Sequence, residues 1–176
     1  MNTSALIVTC FIAALQLSLG AAGTQAETAS PKLAWNFDRE QPGTFPSEFS
    51  IGTLFDGRPA GDWQVLATDR AKSPPHVLAQ VMAKGAEHAY KVLLSKDTVA
   101  SDLSLEVSFL PIQGKADMGG GLIWRAADDR NYYLARANPL EQNIRVYRVE
   151  NGIRHLLQNF DQTIRLKQWH TLRVTH

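Results

Sequence analysis

The chain has 176 residues, 20% of them charged, and a formal net charge of +1. So small a charge argues against steering by nucleic acid or another polyanion. With Cys10 as its only cysteine, the chain can form no intrachain disulfide, and a folded domain must be held by its core.

Residues 1–26 contain no Asp, Glu, Lys or Arg. An apolar run over 5–19 is followed by small residues through Ala22, Gly23 and Ala26, as in the h-region and cleavage region of a signal peptide. Cleavage is expected before Glu27, with a second place after Ala22. The segment departs from the pattern in one respect, because residues 1–4 carry no Lys or Arg. A membrane anchor is the competing reading. It is disfavoured because the run is shorter than the roughly 20 residues that span a bilayer, and no basic cluster follows. Cys10 lies inside the apolar run and not after it, against a lipid anchor. The expectation is export to the periplasm or the exterior, with 27–176 as one mature domain and no membrane attachment after cleavage.

The remainder predicts short strands separated by turns. Leu33, Trp35 and Phe37 alternate and predict a strand over 32–37. Pro and Gly residues then predict loop over 38–62. Strands are expected over 63–67 and 77–82. The stretch 77–94 is rich in helix formers, but Gly85 and the alternation of Tyr90, Val92 and Leu94 favour two strands about Lys84-Gly85. Over 102–110, Leu103, Leu105, Val107 and Phe109 alternate strictly with Asp102, Ser104, Glu106 and Ser108, which indicates a sheet with one buried face. A glycine-rich turn over 114–121 leads to a strand at 122–125. Further strands are expected over 132–137, 143–150, 153–159 and 169–175, with Asn151-Gly152 as a hairpin turn. Short strands at this spacing indicate an all-β antiparallel sandwich. The terminal strand has no later partner and would leave an open edge, which suggests a chain shortened at its C-terminus.

The central strands also predict which side chains meet. A five-residue turn over 138–142 would pair Ala137 with Asn143. A six-residue turn over 126–131 would pair Arg125 with Tyr132. One face would then carry Trp124, Tyr133, Asn143, Arg145 and Tyr147, with Ala135 and Ala137 between them. Sugars stack their C–H patches on aromatic rings and need charged or amide partners for their hydroxyls. Such a face suits them, with Trp124, Tyr133 and Tyr147 stacking and Asn138, Asn143 and Arg145 hydrogen-bonding. Taken singly, Trp124 and Tyr133 each read better as core aromatics than as ligand contacts. A slip of one residue would reverse the whole arrangement.

The run from Gly119 to Arg154 resembles exported bacterial domains of the concanavalin A-like lectin/glucanase superfamily. It is most similar to an uncharacterised group beside the 3-keto-disaccharide hydrolase domain. Gly119-Gly120-Gly121-Leu122-Ile123-Trp124-Arg125, Ala135-Arg136-Ala137-Asn138-Pro139-Leu140-Glu141 and Asn151-Gly152-Ile153-Arg154 carry the resemblance. Trp35-Asn36-Phe37-Asp38, Asp62-Trp63 and Trp169-His170 support it. It implies a jelly-roll sandwich whose concave sheet meets glycans, with further strands after the last one here. It also brings Arg136 into the expected site, although the pairing above puts that residue on the other face.

Catalysis finds less support. Laminarinase-type relatives carry a Glu-x-Asp-x-Glu or Glu-x-Asp-x-x-Glu strand that aims paired carboxylates at the substrate. No such motif occurs here. Glu141, Asp129 and Glu106 are the catalytic candidates, and each also reads as solvated or turn charge. No His or Cys spacing suits zinc. Asp128 and Asp129 would be the place for Ca²⁺, but they lack a calcium motif, so no cofactor is expected. The arginines at 125, 130, 136, 145, 148 and 154 are interleaved with acids and divided between faces, unlike a nucleic-acid surface. The functional expectation is an exported carbohydrate-binding domain. The alternatives are a hydrolase or lyase acting on a keto-disaccharide, and an adhesive module without a small ligand.

Overall fold

A computed structural model describes residues 33–53, 61–82, 90–96, 98–100, 102–114 and 118–176, together with the backbone of 6–9. Among these residues the chain is all-β, with no helix. The strands are β1 (Leu6–Thr9), β2 (Phe49–Thr53), β3 (Trp63–Ala67), β4 (His76–Gln80), β5 (Lys91–Ser95), β6 (Ser104–Pro111), β7 (Gly120–Asp128), β8 (Asn131–Asn138), β9 (Asn143–Glu150), β10 (Ile153–Asp161) and β11 (His170–Thr175). They form a five-stranded sheet in the order β11-β6-β1-β4-β3, a four-stranded sheet in the order β10-β9-β8-β7, and a two-stranded ribbon of β2 and β5. Every pairing is antiparallel.

The alternation over 103–109 sends Val107 and Phe109 to the interior as expected, but Ser108 and Leu110 on the other face are buried as well, so this end of β6 is covered on both sides. Val107 and Phe109 are buried against Leu122 and Ala137 of the four-stranded sheet, and Leu105, Leu172 and Val174 pack beside them. Leu103, Trp124 and Ala135 extend this interior, with Tyr133 and Val146 against it. Each fully buried Val, Leu or Phe among them contributes on the order of 1.5–3 kcal/mol through burial. At Gly120 of β7 an added Cβ would lie 2.5 Å from the Phe109 ring of β6. Only a residue without a side chain fits there.

The other face of the four-stranded sheet is covered at one end by the ribbon. Tyr90 and Val92 pack on Tyr132, Leu134, Tyr147 and Val149. The Asp129 carboxylate accepts the Thr53 N–H at 3.1 Å and fastens β2 to the β7–β8 turn.

Several strands lie where alternation puts them. β3 and β9 match the expected 63–67 and 143–150, and Asn151 and Gly152 take φ of 51° and 79° in the hairpin turn. The expected strand over 32–37 does not form within the described residues 33–37. Phe37 has a φ of 63°, which breaks an extended run, although Trp35 and Phe37 still pack at Phe49. The expected loop over 38–62 contains β2, whose Phe49 is buried. The proposed turn at Lys84-Gly85 lies outside the described residues. The last strand finds a partner earlier in the chain, with β11 pairing to β6 from His170↔Phe109 to Thr175↔Ser104.

β1 falls inside the segment read as a signal peptide, yet it pairs on both sides, with β4 and with β6. Removal of residues 1–26 would leave those two strands unbridged. A chain starting at Glu27 is therefore expected to exchange amide hydrogens faster than the full chain within 78–80 and 108–111. The increase should be about tenfold, corresponding to ~1.4 kcal/mol of local stability. Equal protection in the two chains, read by hydrogen-exchange mass spectrometry, would mean that residues 6–9 add nothing to the sheet.

Candidate functional site

The β8–β9 pairing decides which side chains meet. Asn138 pairs with Asn143, Arg136 with Arg145 and Leu134 with Tyr147. This is one residue away from the expected Ala137–Asn143 register. The loop is four residues long, and local bonds hold it at that length. The Asn138 amide oxygen accepts the N–H groups of Leu140 at 2.8 Å and Glu141 at 3.4 Å. Gln142 takes a φ of 53°. Its amide donates to the carbonyls of Pro139 and Ile164 and accepts the Ile164 N–H at 3.0 Å.

This register divides the expected site. Arg136, Asn138, Asn143, Arg145 and Tyr147 share one face. Trp124 pairs with Tyr133 as expected, but both lie on the opposite face. Trp124 is buried with Leu103 and Ala135, its ring stacks on Tyr133 at 5.8 Å, and its N–H donates to His176 at 2.9 Å. The expected platform of Trp124, Tyr133 and Tyr147 is therefore not assembled. Arg136, which the expected register excluded, belongs to the polar face because the pairing differs by one residue.

On that face Glu141 is the hub. One of its oxygens accepts the Arg136 guanidinium at 3.1 Å and the Asn143 amide at 3.1 Å, and pairs with Arg145 at 2.7 Å. Arg136 is 6% exposed, whereas the Arg145 side chain is 32% exposed and reaches solvent. Arg145 also donates from Nε to Asn159 of β10 at 3.0 Å. Nearer the β9–β10 hairpin and opposite Val149, Arg154 of β10 donates to the Tyr90 hydroxyl at 2.8 Å. Its guanidinium carbon lies 5.0 Å from the Tyr90 ring and 5.8 Å from the Tyr147 ring. The Arg136 guanidinium carbon lies 6.0 Å from the same Tyr90 ring. Tyr147 is thus covered by Tyr90 and Arg154 and supports the guanidiniums without offering its own face.

Burial alone would raise the Glu141 carboxyl, but the Asn143 hydrogen bond and the charges of Arg136 and Arg145 outweigh it and hold the group below its ordinary value. Arg145 is raised, first by its contact with the Tyr147 hydroxyl and also by Glu141, against the opposing effect of burial. Burial raises the Tyr90 phenol, although Arg136 and Arg154 oppose it. Tyr132 is also pushed up by burial. Both phenols therefore remain protonated at neutral pH and are poor proton acceptors.

The catalytic candidates do not converge. Glu106 lies on β6 in the other sheet, in an ion pair with Arg173. Asp129 holds Thr53 at the end of β8 away from Glu141, roughly 25 Å along the strand at ~3.3 Å per residue. Asp128 is spent on the turn, accepting the Arg130 N–H at 2.8 Å and the Asn131 amide at 2.9 Å. Among the described residues, no three His, Cys, Asp or Glu side chains gather as a metal ion would need.

The sequence reading missed Tyr90, Arg154 and Asn159. Arg154 was accessible to it, since a two-residue turn at Asn151-Gly152 and alternation put Arg154 opposite Val149. Tyr90 meets this face through a contact 57 residues away in the chain, which no local pattern reveals. Comparison with known proteins gives no match to a family model, to a curated protein or to a solved structure.

Because Glu141 is held below its ordinary 4.5, its ionised form stabilises the fold above that pH, and the contribution disappears as pH falls through the lowered folded value. Glu141→Gln should cost about 1–2 kcal/mol at pH 7, discounted for the partial exposure of the carboxylate. Denaturant titrations should show this gap closing as pH falls below 4.5. A gap that persists unchanged to pH 2 would show that charge on Glu141 does not hold the two arginines.

Proposed function

We propose that the chain is an exported carbohydrate-recognition domain with a jelly-roll sandwich architecture. It binds an oligosaccharide or glycoside on the β8–β9–β10 face around Glu141. The supporting observation is that Arg136, Arg145 and Asn143 are brought to one carboxylate oxygen, with Arg154 nearer the β9–β10 hairpin. Guanidinium, amide and carboxylate groups held in fixed positions suit a ligand rich in hydroxyls. Recognition here rests on these polar groups. The expected ring platform plays no part, because Trp124 and Tyr133 face the interior. Asn138 serves the turn, and Tyr147 supports Arg154.

The alternative, a hydrolase or lyase acting on a keto-disaccharide, draws on one observation. Glu141 stands against Arg145, and its second oxygen has no hydrogen-bond partner among the described residues. Ordinary glycosidase chemistry uses two carboxylates roughly 5–10 Å apart. Neither Asp129 nor Glu106 supplies the second, so binding is the better-supported reading.

A panel of neutral, acidic and keto-glycosides should be screened with the full chain for both binding and product. Binding without turnover is expected, and Arg145→Gln should weaken it roughly tenfold, the effect of one charge-assisted hydrogen bond. Turnover abolished by Glu141→Gln would establish the enzyme reading instead. No binding to any member, or binding indifferent to Arg145, would reject the site.

A further inference from the structure

Among the described residues, the carboxylates bonded to the arginines of this face are fewer than the guanidiniums. Three guanidiniums, of Arg136, Arg145 and Arg154, share it with Glu141. That carboxylate is committed to Arg136 and Arg145. Among the described residues, no carboxylate pairs with Arg154, whose one hydrogen bond is to the neutral Tyr90 hydroxyl. Asp161 faces Asn143 from β10 but is exposed at the sheet edge and pairs with none of the three. Arg154 is also stiffened by the two rings beneath it, so it is held ready for a partner at little further entropic cost.

A second observation is independent of charge. Asn143 is 5% exposed, and its amide nitrogen is fixed on Glu141, which defines its oxygen as an acceptor. That oxygen is buried and has no donor among the described residues. A buried acceptor without a donor costs about 1–3 kcal/mol. The cluster therefore offers cationic forks for an anion and, within the same cluster, an acceptor suited to an O–H donor. Inorganic sulfate satisfies the first and, having no O–H, not the second. A neutral sugar satisfies the second and leaves Arg154 without a counter-charge.

We infer that the ligand of this face is an acidic oligosaccharide, with its anionic group at Arg154 and Arg145 and a hydroxyl near Asn143. This rests on the carbohydrate reading above and narrows it. A uronate carboxylate and a sulfate ester share the required chemistry, since guanidinium forks bind both in bidentate fashion.

The test uses the full chain against matched pairs: uronate oligosaccharides of several backbones with their carboxyl-reduced forms, and sulfated oligosaccharides with their desulfated forms. Inorganic sulfate serves as a control. Titration calorimetry is expected to show binding to one acidic class, at least tenfold weaker for its neutralised partner and weakened by added salt. Arg154→Gln and Arg145→Gln should each remove that preference, with melting curves confirming the fold. Arg145 is partly exposed, so its variant keeps the test valid if loss of Arg154 unsettles the Tyr90 contact. Equal binding of acidic and neutralised partners would overturn the inference while leaving carbohydrate recognition in place. Binding of inorganic sulfate alone, or no binding at all, would overturn both.

Discussion

Two guanidiniums stand directly opposite each other on neighbouring strands, and a single carboxylate oxygen makes that tolerable. Like charges across an antiparallel pair repel, and burial of one of them in a low-dielectric sheet makes the repulsion worse. Glu141 answers both, because its turn lets it fold back over the strands that it connects. One oxygen meets Arg136, Arg145 and Asn143 together. The turn, the register and the charge balance of the face are therefore one structure. A turn one residue longer would move Arg136 off the face that Arg145 occupies.

Legibility from sequence followed the distance over which each decision is made. Period-two alternation placed β6, β9 and β11 within a residue or two, because the cause lies in the strand itself. The Asn151-Gly152 turn was legible because positive φ at both positions favours those residues. The β8–β9 turn was not. Its length is set by Gln142 reaching Ile164, a contact 22 residues away, and by Asn138 capping the turn with its own amide. The resulting slip of one residue separated Trp124 and Tyr133 from Arg145 and Tyr147. A related error made a strand of 32–37, where the Phe37 backbone turns over while its ring still reaches the core.

The aromatic groups fall into two structural roles. Rings beneath Arg154 act as a rigid base for a cation, and rings between the sheets stabilise the sandwich. On the proposed carbohydrate reading, selectivity on the polar face would come from hydrogen-bond geometry and charge, and ligands that fail to match either would be rejected strongly. At the opposite end of the sheet, the Asp129–Thr53 bond and the packing at Val92 fix the ribbon in place.

Cross-strand nuclear Overhauser contacts along β8 and β9 test the central claim most directly, since they read the pairing without reference to any ligand. The account predicts contacts joining Arg136 to Arg145 and Asn138 to Asn143. Contacts joining Ala137 to Asn143 and Ala135 to Arg145 would contradict it. Arg136 would then lie on the opposite side of the sheet from Arg145, and the shared carboxylate could not hold them both.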